Sequence, residues 1–273
     1  MSTVDDGYIM GRTTEEYQRL RSQARVWEPV TRRLLGQMDL RPGMSCLDVG
    51  CGPGEVMRIL GEIAGPTGRI AGLDVDGTLG REALSVLQAT TPSRFAFVEG
   101  NVETLEEIPD APFDVTYARI TFMHIEDPIG VLRKMYAWTK PGGCIAVQEY
   151  DFCSLFVYPD WPGMPELDKV LRGVYERSGR DRFLGRKLPT YFADAGIGLP
   201  DGSEAASQLG PFSQYGPMCK AVYASLLPAA LKLGVTTEAD SEAYFREVET
   251  AMGESKYTVF FPLLVGVWKR KPV

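Results

Sequence analysis

The 273-residue sequence predicts an α/β fold built on a mostly parallel sheet with helices on both faces. Three observations predict it. Short apolar runs of strand character alternate with helix-period segments as far as Asp151, the rhythm of βαβ units. A glycine-rich turn follows the first of these runs and opens directly into a helical segment. Hydrophobic residues make up 44% and charged residues 24%, the balance of a chain that buries a core rather than staying disordered.

The first element is a helix. Thr13 and Glu16 have the spacing of a capping box. Tyr17, Leu20, Ala24, Trp27, Val30, Leu34 and Met38 recur at steps of three and four, which makes one apolar face. Arg41-Pro42-Gly43 ends it. Ser45 to Val49 reads as a buried strand, Gly54 to Ala64 as a helix stopped by Gly65-Pro66, and Arg69 to Asp74 as a second strand. Leu79 to Thr90 reads as a helix, Arg94 to Val98 as a third strand and Phe113 to Ala118 as a fourth. Pro128 opens a helix that runs to Thr139, and its missing N–H suits the first turn. Lys140-Pro141-Gly142-Gly143 reads as a turn, and Cys144 to Glu149 as a fifth strand.

Beyond Asp151 the rhythm breaks. Residues 152–165 hold four aromatics and three prolines and read as irregular. Helices follow near 166–178 and 186–195, a weak strand near 197–209, and two more helices near 215–234 and 238–252. Tyr257 to Trp268 reads as one apolar closing strand. We read 1–273 as a single domain, with 152–185 and 210–256 as inserts that cover the strand ends, outside which ligands sit in open parallel sheets.

The formal net charge of -7 disfavours a nucleic-acid partner, because phosphate backbones are held by Lys and Arg. Five scattered cysteines, none in a CxxC pair, argue against a disulfide framework and against a metal site. No long apolar run reads as a membrane span or a secretory signal, so the expected address is cytoplasmic.

The motif richest in chemistry is Leu47-Asp48-Val49-Gly50-Cys51-Gly52-Pro53-Gly54. Glycines there let backbone approach a ligand without a Cβ clash, and the following helix offers unpaired N–H groups. Glu55 stands where a dinucleotide-binding fingerprint has its third glycine, which argues against a nicotinamide oxidoreductase. Asp48 would repel a pyrophosphate but can hold an ammonium group. Asp74 ends the second strand, where a carboxylate can accept both ribose hydroxyls. Asp76 reads better as a helix-cap neighbour. Asn101 follows the third strand; its carbonyl can accept from an adenine amino group, and otherwise it is a turn asparagine.

LDVGCGPGE, GLDVD, FVEGNVETL, FDVTYARITFMHIEDP and TKPGGCIAVQEYD, in that order, resemble the motifs of class I S-adenosylmethionine-dependent methyltransferases. The resemblance covers residues 8–151 and lies nearest the small-molecule branch that includes ubiquinone/menaquinone-type and natural-product enzymes. It implies a Rossmann-like, seven-stranded sheet whose last strand runs antiparallel, with a helical cap over 8–38 and helical inserts after the fifth and sixth strands. It implies S-adenosylmethionine as cofactor, S-adenosylhomocysteine as product and a small-molecule methyl acceptor as partner.

By position, the resemblance assigns Gly50, Gly52 and Gly54 to the methionine and ribose region and Asp48 to the methionine amino group. It gives Asp74 the ribose, and Val75, Asn101 and Val102 the adenine. Ala118 and Arg119 fall beside the methionine portion, with Arg119 able to face its carboxylate or to form a structural ion pair. Tyr8, Tyr17 and Gln23 would close over the cofactor. Asn101 departs from the family's usual aspartate, and its remaining acceptor oxygen is expected to preserve binding. His124, the single histidine, is the candidate general base. Tyr17 and Glu149 are further catalytic candidates, and Asp151 shares a strand face with Glu149. Phe152, Phe156, Tyr158, Trp161, Tyr215 and Tyr223 would line an apolar acceptor pocket or simply pack. A homodimer is compatible with the sequence. The alternatives are a cofactor-binding enzyme that catalyses cyclisation, rearrangement or decarboxylation, and a non-catalytic cofactor-binding regulator.

Overall fold

The computed structural model describes residues 14–273, so Thr13 and Tyr8 lie outside the described residues. In chain order the elements are α1 (Thr14–Gln37), β1 (Ser45–Val49), α2 (Glu55–Ala64), β2 (Arg69–Asp74), α3 (Gly77–Thr90), β3 (Arg94–Glu99) and β4 (Phe113–Arg119). Then come α4 (Pro128–Ala137), β5 (Thr139–Asp151), β6 (Phe156–Tyr158), α5 (Met164–Arg177), α6 (Leu188–Asp194) and β7 (Gly202–Ala206). The chain closes with β8 (Leu209–Pro211), α7 (Phe212–Lys232), α8 (Glu238–Met252), β9 (Thr258–Phe260) and β10 (Leu263–Arg270).

These elements fold into two compact units. One holds Ala24–Glu149, Leu184–Ala206 and Leu264–Val273; the other holds the described residues up to Gln23, Tyr150–Phe183 and Ser207–Leu263.

The larger unit is built on a seven-stranded sheet of order β3-β2-β1-β4-β5-β10-β7. β1 pairs in parallel with β2 and with β4, β2 with β3, and β4 with β5, while β10 runs antiparallel to β7. The strands alternate between two cores, as period-two side chains must. Leu47, Val49, Ala71, Leu73, Ile145 and Val147 face one core with Val131, Leu132 and Met135 of α4 and Phe192 of α6. Cys46, Ile70, Val115, Tyr117, Cys144 and Ala146 face the other with Leu34 and Leu35 of α1 and Val56, Met57 and Leu60 of α2. Because both faces are covered, β1 is buried at all five positions and shows no polar alternation. The apolar stripe on α1 behaves as its spacing predicts: Trp27, Val30 and Leu34 are fully buried.

The smaller unit carries a three-stranded antiparallel sheet of order β6-β9-β8 beside α5, α7 and α8. Trp161 packs against Phe212 and Tyr244, and Tyr223 stacks on Tyr244 with ring centroids 3.9 Å apart.

Three sequence expectations need correction. Tyr257 to Trp268 is not one strand: Pro262 interrupts it, and the two halves join different sheets. Proline has no N–H for a ladder, so pairing stops there. Lys140 to Gly143 is no free turn either. It is an irregularity inside β5, where the register jumps from Phe113↔Thr139 to Val115↔Cys144 and Gly142 takes φ +75°. Finally, residues 152–165 are not wholly irregular, since β6 pairs with β9; three residues are too few to register as a period.

Candidate active site

The order of the large sheet sets the place. β1 has β2 on one side and β4 on the other, so the path of the chain reverses between β1 and β4. That reversal opens a crevice at the carboxyl ends of these strands, where open α/β sheets bind ligands. In the larger unit, β1 to β4 and the turns that leave them there carry most of the predicted residues.

The turn after β1 is left-handed at three glycines: φ is +69° at Gly50, +47° at Gly52 and +78° at Gly54. Their reasons differ. A Cβ on Gly50 would collide with the Thr121 side chain. A Cβ on Gly54 would come within 3.0 Å of Ala83 and Leu87, so this glycine lets α2 approach α3. A Cβ on Gly52 would meet nothing within 4 Å. Gly52 alone of the three borders open space.

Asp48 lies in β1 on the same face as Tyr117 and Arg119, between its cross-strand partners Gly72 and Tyr117. It is 1% exposed, and its Oδ2 has no hydrogen-bond partner among the described residues. Burial pushes its carboxyl up to about 8, against a downward pull from Arg119 and with a further upward push from Asp74. A buried acceptor left open is costly, and no donor for it is found among the described residues.

Asp74 ends β2 and ties the two turns together. Its Oδ2 accepts the Gly52 N–H at 2.8 Å and its Oδ1 accepts the Asp76 N–H at 2.9 Å. Asp76 caps α3, accepting from Thr78 and Leu79 N–H, as its sequence position suggests. Val75 is exposed, an apolar side chain beside the Asp74 carboxylate, whereas Val102 is buried in the core. Asn101 behaves as a turn asparagine: its Oδ1 accepts the Glu103 N–H at 2.8 Å.

After β4 the backbone is forced. Ile120 takes φ +54°, a conformation that a β-branched residue adopts only when its surroundings impose it. Its N–H donates to the Gln148 carbonyl at 2.8 Å. Arg119 donates to Thr31 Oγ1 at 2.9 Å, and Thr31 donates to Gln148 Oε1 at 2.8 Å, where the Tyr117 hydroxyl also donates. Arg119 is thus held by hydrogen bonds rather than by the ion pair first considered. His124 is half-buried at the end of a short 3-10 turn, Phe122–His124, that follows the strained residue.

Glu149 is fully buried, and its Oε2 accepts the Met123 N–H at 3.1 Å. It braces the turn that carries His124. Asp151 is buried too, and accepts from Cys153 N–H at 3.1 Å, so neither carboxylate is a solvent-facing strand end.

Tyr17 and Gln23 belong to the smaller unit. There Gln23 Nε2 donates to the Tyr150 hydroxyl at 2.8 Å and its Oε1 accepts from Arg19 at 2.9 Å. Arg19 in turn makes a two-pronged bond with buried Glu16, at 2.8 and 2.6 Å. Tyr17 is half-buried on α1. Among the described residues no group of three or more His, Cys, Asp or Glu side chains is placed to hold a metal ion. No described helix is long and apolar enough to cross a membrane.

Sequence reasoning missed Thr121, Gln148, Thr31 and Tyr117. Gln148 had a readable signal, a polar residue closing the apolar run Cys144 to Val147. Thr121 had none, since its contact with Gly50 is purely tertiary.

Comparison with known proteins follows this geometry. Residues 40–178 match a family described as a methyltransferase domain. The demethylmenaquinone methyltransferase of Geobacillus kaustophilus is 30% identical over 177 residues, covering 60% of this chain and 75% of that enzyme. The chain spans less than half the length of the first curated relatives it matches. Among solved structures, a Bacillus halodurans protein assigned as a methyltransferase superposes with a TM-score of 0.61 at 14% identity, over 89% of this chain and 99% of that one. A phosphoethanolamine N-methyltransferase of Haemonchus contortus, solved with phosphomonomethylethanolamine and S-adenosylhomocysteine, superposes with a TM-score of 0.58 at 13% identity, over 99% of this chain and 61% of that one.

Proposed function

The chain belongs to the methyltransferase-domain family, of the class I S-adenosylmethionine-dependent type, and on that premise we propose that it methylates a small organic molecule. The observation that carries the reading is the open acceptor on Asp48, buried beneath a glycine turn whose Gly52 borders open space. A cationic, hydroxyl-bearing ligand fits that pairing. The cofactor, when bound, supplies an electrophilic methyl group on a sulfonium.

Asp48 takes the ligand's ammonium group, directly or through a water. Arg119, oriented by Thr31, faces its carboxylate. Asp74, fixed at the end of β2 by the Gly52 and Asp76 N–H groups, takes the ribose hydroxyls, and Val75 lies against the base. The work of these residues is alignment, which converts an encounter into a near-attack geometry.

His124 accepts the proton when the methyl acceptor must lose one. Glu149 is a positioning residue for the His124 turn, since its oxygen is committed to a backbone N–H. The acceptor we propose is an apolar or planar molecule, such as an intermediate of natural-product biosynthesis.

The test is calorimetric titration with S-adenosylmethionine and S-adenosylhomocysteine, with Asp74→Ala alongside, followed by acceptor screening by mass. The expected result is binding that weakens at least tenfold in the variant, as loss of hydrogen bonds to a charged group requires (roughly 1.5–3 kcal/mol), and an acceptor heavier by one methyl. No binding by folded protein overturns the reading. Binding with turnover but no methyl gain would transfer the site to cyclisation or rearrangement chemistry.

A further inference from the structure

Gln148 grips the end of β4 twice. It pairs with Arg119 across β4 and β5, and its backbone carbonyl accepts the Ile120 N–H at 2.8 Å. Its side-chain Oε1 accepts from the Thr31 hydroxyl at 2.8 Å and from the Tyr117 hydroxyl, which engages both lone pairs of that oxygen. Gln148, Thr31 and Tyr117 are each fully buried, so a bond lost among them is not replaced by bulk water.

The proton count gives this network a direction. Thr31 has one hydroxyl proton, and Gln148 takes it. The Thr31 oxygen then accepts from Arg119 Nη1 at 2.9 Å. A Thr31 proton turned toward the guanidinium would set donor against donor. The Gln148 amide is itself oriented. Its Nε2 lies 3.3 Å from the place a Cβ would take on Gly266, and Gly266 pairs with Glu204 on β7. Glu204 gives Oε1 to Arg33, while its Oε2 has no partner among the described residues. The nitrogen thus belongs on the carboxylate side, and the oxygen on the side of the two hydroxyls.

What Arg119 does from there follows from register. Tyr117 is the cross-strand partner of Asp48, and Arg119 stands two residues further along the same face of β4. Burial raises the Asp48 carboxyl; Arg119 pulls it down, Asp74 at the end of β2 pushes it up, and the Met57 backbone N–H of α2 pulls it down. Helix α1 brings Thr31, which is uncharged, to Arg119. Burial holds the Cys46 and Cys51 thiols and the Tyr117 phenol above their ordinary values, and so protonated. Arg119 is therefore the cation that favours the ionised Asp48.

We propose that Gln148 is a positioning residue for ligand binding: by taking the Thr31 proton it leaves Thr31 an acceptor, and that acceptor holds Arg119 where it serves both Asp48 and the ligand's carboxylate. The bearing on the ligand rests on the cofactor reading above. Gln148 acts through Thr31, from a buried place on the face of the sheet that α1 covers.

The test is calorimetry with S-adenosylhomocysteine at pH 7 and pH 9, on full-length wild type, Thr31→Val, Thr31→Ser, Gln148→Met and Arg119→Met, with melting temperatures to show that each is folded. Thr31→Val keeps the shape and removes the hydroxyl. It is expected to bind about tenfold more weakly at pH 7, the worth of a hydrogen bond to a charged group. The loss should be smaller at pH 9 by about threefold or more, because Asp48 then ionises with less help from Arg119. Gln148→Met should show the same pattern, and Thr31→Ser should bind as the wild type does. In an Arg119→Met background neither Thr31→Val nor Gln148→Met should weaken binding further. If Gln148→Met does not fold, Gly266→Ala takes its place: its methyl would lie 3.1 Å from Gln148 Cγ and shift the amide, for a loss of about threefold with the same pH dependence. Losses equal at both pH values are those of a merely structural role and overturn the proposal. So does a Thr31→Val or Gln148→Met variant that binds as the wild type, or one that loses as much without Arg119. A wild type that binds while Arg119→Met binds equally well overturns this proposal alone; a folded wild type that does not bind overturns the cofactor reading and this proposal with it.

Discussion

Asp48 is the residue whose chemistry can be followed by pH. In the unfolded chain its carboxyl ionises near the ordinary value of 3.8, and in the folded protein burial holds it at about 8. The folded state therefore keeps a proton that the unfolded state has lost. That contribution to stability is complete below pH 3.8 and drains away as pH rises toward about 8. Asp48→Asn cannot ionise, so it should be more stable than the wild type at pH 8, by about 1–3 kcal/mol. The difference should shrink steadily as pH falls from 8 through 5 and vanish only near 3.8, and urea unfolding across that range checks this. Ligand binding has the opposite dependence. An ammonium group needs the ionised carboxylate, so binding should release a proton below pH 8, strengthen as pH rises, and be weakened in Asp48→Asn. Calorimetry in buffers of different ionisation enthalpy counts the proton. Asp48 and Asp74 were legible in the sequence because each sits at a fixed offset from a glycine turn or a strand end. Asn101 announced a turn by its residue type, but which of its atoms the turn engages depends on where the Glu103 N–H falls.

At the scale of the element, the glycine turn separates folding from binding. Gly50→Ala forces a methyl into Thr121 at φ +69°. Overpacking and left-handed strain together should lower stability by about 2–4 kcal/mol. Gly52→Ala meets no neighbour and carries only the strain of φ +47°, about 1 kcal/mol. Its methyl enters the space a ligand would use, so binding of S-adenosylhomocysteine should fall by about tenfold or more while the fold survives. Thermal melts set beside titrations distinguish the two. If Gly52→Ala binds normally, the open space beside it is not part of the ligand site. β1, β2 and β4 were legible to within a residue because they are largely buried on both faces, and β3, which is half exposed, because its apolar run ends at Gly100. β6 and β9 were not, at three residues each. The irregularity in β5 was hidden because Lys-Pro-Gly-Gly has the composition of a turn whether or not the ladder continues past it.

At the scale of the molecule, each unit has its own hydrogen-bonded sheet, and the glycine turn, Asp74, Asn101 and Arg119 all lie in the larger one. A ligand held there stabilises that unit by mass action. Hydrogen exchange with saturating S-adenosylhomocysteine should therefore slow most at residues 45–54, 69–76 and 99–105. Equal slowing in α7 and α8 would show that the ligand is held differently. Fold class was legible here because alternating strands and helices admit few topologies. The partition into units was not, because three of its five borders fall inside α1, β5 and β10 rather than in linkers. Those borders bear on how such a protein can change over time. The chain passes between the units five times, at Gln23, Glu149, Phe183, Ala206 and Leu263, so neither unit is one continuous stretch of gene. A single crossover cannot graft a foreign acceptor-selecting unit onto this scaffold, as it can where domains follow one another like beads. New substrates would have to be reached by point changes and short insertions, each tested against a framework already in place.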